Sequence, residues 1–487
     1  MVFSSLLFIF AFLPLCLGIY ALCRNNTARN IVLLLFSLIF YTWGEPVYIL
    51  LLISMTFCDW LAGILLDKAQ KQGARKLILV ITCIINLGLI GVFKYTGFVL
   101  SNVQSIFGVP EIIPKIILPI GISFYTFQLL SYVVDVYRKE VPHQKNFFWL
   151  LLYSSLFHQC IAGPIVRYKD VEFDIINRRV NHREIADGIT RFCVGLAKKV
   201  LIANTCGSLA DTLLVADSFI ASSPTEALAQ LSSRSAVGLW FGMLFYMLQI
   251  YLDFSAYSDM AIGMGLMTGF HFKENFQYPY TAKSVTDFWR RWHISLSTFF
   301  RDYVYIPLGG NRKGAFKTYR NLLIVWFLTG LWHGASWNFV LWGLFFFVFL
   351  SIEKFGLLKL LEKIPALFSR IYLLLIVYFG WILFKFSDFS FIPVVLKGLF
   401  CQNGNGIMDF ETKTLLLGNI FFIAVAIIAT TPAVKLIADK LKEKAAASKG
   451  TATCYTVLNI ILSLTLLVLS AISLVGDSYN PFIYFQF

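Results

Sequence analysis

Residues 320–347 read "RNLLIVWFLTGLWHGASWNFVLWGLFFF", and this stretch decides the class of fold. No Asp, Glu, Lys or Arg lies between Arg320 and Glu353, as is typical of a segment that crosses a lipid bilayer. The apolar run 321–350 is too long for one untilted span and marginal for two. We therefore predict a helix that is broken between Gly330 and Ser336.

The composition extends this conclusion to the whole chain. Of its 487 residues, 58% are hydrophobic and 14% are charged, whereas a soluble globular protein carries about 25% charged residues. Apolar runs recur from end to end, which predicts an all-α, polytopic membrane protein with about 11–12 spans and with re-entrant or interfacial helices. The predicted spans are 2–22, 31–43, 47–66, 77–93, 95–107, 116–136, 147–165, 236–257, 321–350, 371–386, 414–431 and 454–475.

The formal net charge of +14 is explained by basic cytoplasmic loops. No basic stripe with stacking aromatic residues lies outside the apolar runs, so we expect no nucleic-acid partner. The charge pattern places the N-terminus outside and a basic helix near the C-terminus in the cytoplasm; the lysines of that helix are Lys435, Lys440, Lys442, Lys444 and Lys449. The nine cysteines form no CxxC or metal-ligand spacing, and we predict no metal site.

His333 is the residue that does not fit an apolar run. It lies next to Trp332, with Asn338 close behind. Ionisable residues inside a membrane are costly and usually mark function, and neutral imidazole can accept a proton from a hydroxyl as a general base. The alternative is a histidine that only packs between helices and hydrogen-bonds across the bundle.

A second dense segment, residues 284–314, reads "SVTDFWRRWHISLSTFFRDYVYIPLGGNRKG". Its aromatic residues recur at helical spacing and predict one apolar face, while His293, Ser297 and Arg301 are spaced i, i+4, i+8 and are predicted to share a second face. The segment is either an aromatic-basic anchor at the membrane interface or the polar wall of a buried cavity. The further candidate residues in it are Trp289, Arg290 and Trp292.

A third patch, residues 249–265, reads "QIYLDFSAYSDMAIGMG". Asp253 and Asp259 are the only Asp, Glu, Lys or Arg residues between Arg234 and Lys273. A buried carboxylate needs hydrogen-bond partners, so these residues either orient a histidine, pair with an arginine or serve only the structure.

Together these segments resemble the membrane-bound O-acyltransferases. "FWRRWHISLSTFFRDYVYIPLGGNR", followed by "GLWHGASWNFVLWG", carries the resemblance. "LPIGISFYTFQLLSYVVDVYR" (118–138), "IAGPIVRY" (161–168) and the terminal "YNPFIYF" are similar to the bacterial alginate and peptidoglycan O-acetyltransferase branch. One departure is "FHQCIAGPI", where relatives commonly have Phe-Pro-Gln; here His158 replaces the proline.

The resemblance implies a single membrane domain over residues 1–487, with N-terminal spans at 1–136, a catalytic core at 137–350 and C-terminal spans at 351–487. It implies that His333 is catalytic, that His293 assists in positioning a substrate, and that both line a funnel or pore. We expect a multi-pass protein of the bacterial cytoplasmic membrane with no tightly bound cofactor. The expected donor is a cytoplasmic acyl thioester such as acetyl-CoA, which the basic loop with Arg312 and Lys313 could meet.

The expected reaction is O-acylation of an exported polysaccharide or cell-wall polymer, directly or through a partner extracytoplasmic O-acetyltransferase. His333 would act as the general base, and His293, Asn338 or a freed backbone N–H would stabilise the oxyanion. The alternatives are a transporter of acyl groups or polysaccharide and a scaffold for a separate transferase. His182 and Asp187 have the His-x4-Asp spacing of glycerolipid acyltransferases with a soluble active face, but their substrate-binding block is missing.

Overall fold

Helices make up most of the part of the chain that the structure describes. A computed structural model describes residues 2–108, 116–161, 163–445, 448–476 and 479–480, and within these ranges there is no β-strand. Several helices begin where the sequence supplies a capping side chain. The Asn25 carboxamide oxygen accepts from the Ala28 N–H at 2.8 Å, and the Ser284 hydroxyl accepts from the Asp287 N–H at 3.0 Å.

Among the described residues, seven helices are long and apolar enough to cross a membrane. The count rises to eight if Phe410–Gly418 and Ile420–Ala429, which meet at an angle of 63°, form one broken span. The all-helical, polytopic fold predicted from the sequence is therefore confirmed. The seven helices are Asn26–Gly44, Ile49–Lys68, Gln72–Phe107, His182–Leu213, Ala236–Thr268, Ala366–Lys385 and Lys449–Gly476.

The span count is lower than the sequence suggests for two physical reasons. The predicted spans 77–93 and 95–107 belong to one helix, Gln72–Phe107, which contains a π-helical turn at Gly91–Tyr95. Other apolar runs form helices shorter than a full span; these are Phe8–Leu22, Ile122–Arg138, Phe147–Ser155 and Trp337–Ile352. Residues 109–115, which immediately precede the predicted span 116–136, lie outside the described part.

The chain divides into two compact units. The first contains Met1–Phe192, Tyr257–Asn275 and Ser295–Leu308; the second contains Cys193–Ala256, Phe276–Ile294 and Gly309–Phe487. The helices His182–Leu213 and Ala236–Thr268 contribute residues to both units.

The first unit is built mainly from the N-terminal helices. Ile122–Arg138 packs against Ile49–Lys68 and Gln72–Phe107 and is buried over most of its length. The remaining helices of this unit are Phe8–Leu22, Asn26–Gly44, Phe147–Ser155, Tyr168–Asn177 and the segment that begins at Ile294–Phe300 and continues through Arg301–Tyr305.

The second unit holds both His293 and His333. Its core is aromatic, with Trp342 and Trp381 fully buried. Ala315–His333 and Trp337–Ile352 form a helical hairpin, and Ala366–Lys385 packs against the second arm of that hairpin. The remaining helices of this unit are Asp217–Ser222, Pro224–Ser232, Pro279–Thr281, Val285–Arg291, Glu353–Leu357, Leu358–Leu361, Phe391–Leu399, Phe410–Gly418, Ile420–Ala429, Ala433–Ala445 and Lys449–Gly476.

Candidate active site

The helix that carries His333 ends at this residue. Gly334 and Ser336 adopt extended backbone conformations, and the next helix begins at Trp337. The break predicted between Gly330 and Ser336 is therefore confirmed. It places His333 at the C-terminal end of one helix and a few residues before the N-terminal end of another.

Two glycines allow the arms of this hairpin to approach closely. A Cβ atom on Gly330 would lie 2.4 Å from the carbonyl oxygen of Phe339, and a Cβ atom on Gly343 would lie 2.3 Å from the carbonyl oxygen of Trp326. Real side chains do not tolerate such contacts with backbone atoms, so the hairpin requires glycine at both positions. The close approach fixes His333 relative to the second arm.

His333 is buried among aromatic rings. His333 is 5% exposed. Its ring centroid lies 5.0 Å from that of Trp332 and 4.9 Å from that of Trp342. The Phe384 ring, near the end of Ala366–Lys385, lies 5.3 Å away. These edge-on contacts hold the imidazole in an environment from which bulk water is excluded.

His293 lies at a second break in the chain. The helix Val285–Arg291 ends just before it, and the next helix begins at Ile294. His293 has a φ of 44°, in the left-handed region that residues with a Cβ atom rarely adopt. This corrects the prediction that His293, Ser297 and Arg301 share one helix face, because no continuous helix joins the three residues.

The two histidines share a neighbour. His293 is fully buried, and its ring centroid lies 5.7 Å from that of Trp332, the residue that also contacts His333. The Phe254 ring lies 4.7 Å from the His293 ring on another side. The structure thus brings His293, Trp332 and His333 together within the second unit.

Tryptophans surround this pair. Trp292 lies 5.1 Å from Trp381, and Trp289 lies 4.7 Å from Trp326, measured between ring centroids. Through contacts to Trp342 and the histidines these rings form one group, which we call the tryptophan cluster. Its members are Trp289, Trp292, Trp326, Trp332, Trp342 and Trp381.

Glu353 holds the N-terminal end of the helix that leads to His293. Its carboxylate is fully buried and accepts hydrogen bonds from the N–H groups of Val285 at 2.6 Å and Thr286 at 2.8 Å. The Thr286 hydroxyl donates to the same carboxylate at 2.6 Å, and the Tyr372 hydroxyl donates at 3.2 Å. A carboxylate is stabilised at a helix N-terminus, so Glu353 fixes where this helix starts.

Asp253 forms a buried ion pair. Its carboxylate lies 2.9 Å from the Lys199 ammonium, and the two side chains are 2% and 4% exposed, respectively. The predicted pairing with an arginine is found for Asp259. Its carboxylate lies 3.0 Å from the Arg191 guanidinium in the first unit. Asp253 is adjacent in sequence to Phe254, which contacts His293.

The other predicted residues are distributed as follows. Asn338 is buried, and its side-chain N–H groups donate to the carbonyl oxygens of Leu383 at 3.3 Å and Phe384 at 3.5 Å, so it ties the hairpin to Ala366–Lys385. Arg290, Arg312 and Lys313 are exposed, and Ser297 is half-buried. The side chain of Arg301 is 61% exposed and pairs with Asp302.

Asp302 belongs to a charged cluster in the first unit. Its carboxylate lies 2.7 Å from the Arg167 guanidinium, which also contacts Asp170 at 2.9 Å. Burial acts to raise the pKa of both carboxyls, but hydrogen bonds from the neighbouring arginines, and from Lys273 to Asp170, outweigh it and hold both pKa values below the ordinary value for Asp. Both groups are therefore ionised at neutral pH.

Comparison with known proteins identifies the family. The sequence profile of the membrane-bound O-acyltransferase family matches residues 60–392, which include both histidines and their breaks. The chain belongs to this family. It is a multi-pass membrane O-acyltransferase, and its relatives support O-acetyltransfer as the activity.

Three relatives illustrate the range of the family. The chain is 38% identical to a probable alginate O-acetylase of Pseudomonas putida over 100% of both proteins. It is 34% identical to a peptidoglycan O-acetyltransferase of Helicobacter pylori over 83% of this chain and 80% of that protein. It is 26% identical to a teichoic acid D-alanyltransferase of Bacillus subtilis over 56% of this chain and 68% of that protein.

Sequence reasoning missed several residues that shape the site. In the sequence, Glu353 is only the first charge after the apolar run. Its burial becomes evident once the two arms of the hairpin before it are seen to pack together. Phe384 and Phe254 were hidden in apolar stretches that contain many aromatic residues. The signal in the sequence that points to this region is Lys385, a lysine at the end of an apolar stretch.

Proposed function

We propose that this O-acetyltransferase moves an acetyl group from acetyl-CoA on the cytoplasmic face to a hydroxyl of an exported polysaccharide or cell-wall polymer. The bacterial cytoplasmic membrane is the proposed location. The named substrates of the relatives, alginate, peptidoglycan and teichoic acid, support a polymer acceptor. The observation that carries the proposal is the pair of buried histidines that share Trp332 at two breaks in the helices.

In the proposed reaction His333 acts as the general base. The acceptor hydroxyl attacks the thioester carbonyl carbon while its proton passes to the neutral imidazole of His333. The C–S bond then breaks, and the proton passes from the imidazolium to the leaving thiolate, so the products are an ester and a free thiol. The aromatic surroundings of His333 support this role, because a dry site prevents loss of the acyl group to water.

The developing oxyanion needs donors close to His333. Helix Trp337–Ile352 begins four residues beyond His333, so its first-turn N–H groups, at the positive end of the helix dipole, lie at the break that follows His333. Its N-cap residue, Ser336, makes no side-chain capping hydrogen bond. These N–H groups and His293 are the proposed donors, whereas the side-chain N–H groups of Asn338 already point to Leu383 and Phe384.

The proposed contact for the donor is the exposed loop that precedes the hairpin. Arg312 and Lys313 lie there, a few residues before helix Ala315–His333 begins. Exposed cations suit the phosphates of coenzyme A, which carry the negative charge of the donor. If a second protein passes the acetyl group on to the polymer, the proposed partner is a separate extracytoplasmic transferase.

The test is replacement of His333 by Ala in cells that make the polymer. We expect polymer-bound acetyl ester to disappear while the amount of protein in the membrane is unchanged, because the base is lost and the hairpin is kept. Ester is measured on both the exported polysaccharide and the peptidoglycan, together with an immunoblot of the membrane fraction.

His182→Ala is the matched control, since His182 is exposed and belongs to the His-x4-Asp arrangement. This variant should retain full ester content. Full ester content in His333→Ala would overturn the assignment and favour a transporter or scaffold, which needs no base.

A further inference from the structure

Two buried lysines form ion pairs in the unit that contains the histidines. Lys199 pairs with Asp253 at 2.9 Å, and Lys385 pairs with Asp217 at 2.6 Å. The Lys385 side chain is 3% exposed, and its ammonium lies 5.1 Å from the centre of the Tyr246 ring. Both side chains of the Lys199–Asp253 pair are buried, whereas the Asp217 side chain is 43% exposed. Losing either carboxylate would leave a buried ammonium uncompensated, so each pair constrains the backbone that carries its lysine.

Each pair is adjacent in sequence to an aromatic residue that contacts a histidine. Asp253 precedes Phe254, whose ring lies 4.7 Å from that of His293. Lys385 follows Phe384, whose ring lies 5.3 Å from that of His333. A shift of either ion pair would therefore move one wall of the histidine site.

Tyr479 and Asn480, near the C-terminus, connect the two pairs. The Tyr479 hydroxyl donates to the Asp211 carboxylate at 2.9 Å, and that carboxylate lies 3.9 Å from the Lys385 ammonium. The side chain of Asn204 donates to the side-chain oxygen of Asn480 at 3.2 Å.

Asn204 continues this connection to the other lysine. Its side-chain oxygen accepts from the Lys199 ammonium at 2.8 Å. Tyr479 and Asn480 thus contact both ion-pair networks, whose residues belong to four different helical segments.

The site of contact is tightly packed. A Cβ atom on Gly207 would lie 2.8 Å from the Tyr479 hydroxyl and 2.4 Å from the side-chain nitrogen of Gln249. Gln249 also hydrogen-bonds to the Tyr479 hydroxyl. Tyr479 therefore lies between two helices. One is Asn204–Leu213, which has a glycine, Gly207, at the point of contact, and the other is Ala236–Thr268, which carries Asp253 and Phe254.

We propose that Tyr479 and Asn480 are positioning residues, which together form a C-terminal clamp on the two ion pairs and thereby hold Phe254 and Phe384 against the histidines. The clamp does not touch the reacting atoms. It sets the orientation of His293 and His333 through the aromatic rings packed on them. This inference rests on the proposed function, because it assigns a task to the geometry of the same site.

The test removes hydrogen bonds of the clamp and leaves the ion pairs intact. Tyr479→Phe deletes the hydroxyl that contacts Asp211 and Gln249, and Asn480→Ala deletes the contact to Asn204. Membrane vesicles that contain each full-length variant are supplied with labelled acetyl-CoA and polymer acceptor, and kcat and KM are measured separately. Tyr455→Phe is the matched control, since Tyr455 is half-buried in the same C-terminal region.

A misoriented base slows the chemical step without weakening substrate binding. A hydrogen bond to a charged group contributes about 1.5 kcal/mol, which corresponds to a loss of about tenfold in kcat. We expect this loss for Tyr479→Phe and a similar or smaller one for Asn480→Ala, with KM changed by less than about twofold. Tyr455→Phe should match the parent protein.

Unchanged kcat in both variants would overturn the clamp, as would a lower melting temperature with unchanged kcat, since that result indicates a purely structural contact. A rise in KM alone would overturn it too, because it would place the dipeptide in substrate binding. The proposed function is tested separately by His333→Ala. If that variant is inactive while Tyr479→Phe is fully active, the function stands and the clamp fails.

Discussion

His293 combines a candidate functional side chain with an unusual backbone conformation. Its φ of 44° is the left-handed conformation, which costs most residues about 1 kcal/mol or more. This conformation stops the helix at Arg291 and turns the imidazole towards Trp332 and Phe254. The strain is located where the side chain is needed, which supports a functional reason for it.

The backbone conformation suggests how His293 should be replaced. Asn tolerates the left-handed region better than Ala does, so His293→Asn removes the imidazole and keeps the turn. We expect His293→Asn to reach the membrane in normal amounts and its rate of ester formation to fall at least about tenfold. Loss of one donor that stabilises an oxyanion usually lowers the rate by more than this. His293→Ala should also show a lower melting temperature, measured in detergent. Equal melting temperatures for the two variants would mean that the turn is not strained.

The hairpin of Ala315–His333 and Trp337–Ile352 is the element on which the site depends. Its arms approach so closely that Gly343 has no room for a methyl group beside the Trp326 carbonyl. The same packing aligns Trp326 and Trp342 with Trp289. The break after His333 is stable only while the arms remain in this register.

Gly343→Ala is therefore expected to separate the arms. Forcing a methyl group into a packed backbone contact typically costs about 1–3 kcal/mol, which should lower the melting temperature and the ester content together. Gly88→Ala is the control, since nothing lies within 4 Å of the position of its Cβ atom. A Gly343→Ala variant with normal stability and activity would contradict the packing of this hairpin.

Much of the site's location could be predicted from the sequence. The length of the uncharged run around His333 required a break, and the chain breaks there. The motif around His293 left an interfacial anchor and a buried cavity wall as alternatives. Nothing in "RWHIS" signals a helix end, since it contains neither Gly nor Pro. The continuous helix expected there was wrong because tertiary contacts to Trp332 and Phe254 override local helix preference.

The contacts that support the site could not be predicted. Glu353 caps Val285 from 68 positions away, and Lys385 pairs with Asp217 from 168 positions away. A single sequence carries no signal of such pairing, because each residue is compatible with a loop or interface position on its own. The roles assigned to His333 and His293 remain predictions that the substitutions above will test.

At the scale of the whole molecule, the charge pattern predicts which parts of the chain face the cytoplasm. Helix Ala433–Ala445 carries the exposed lysines Lys435, Lys440, Lys442 and Lys444, and it directly precedes the apolar helix Lys449–Gly476. Basic segments next to spans are retained on the cytoplasmic side.

We expect Lys440→Cys, in a background without the nine native cysteines, to react with a membrane-impermeant maleimide only after the membrane is opened. The measurement is gel-shift labelling of whole cells and of inverted vesicles. Labelling in intact cells would contradict the predicted topology. A cysteine at Asn25, which follows the first predicted span, should give the same result, because Arg24 and Arg29 place that loop on the same side.

The tryptophan cluster has a further consequence. Six of the eleven tryptophans belong to this cluster, and the rings of two of them, Trp332 and Trp342, contact the imidazoles. Indole emission is sensitive to a nearby imidazolium and to the polarity around the ring. The intrinsic fluorescence of the protein is therefore weighted towards the proposed active site. Arrival of a donor or gain of a proton by His333 would change the light emitted, with no label attached.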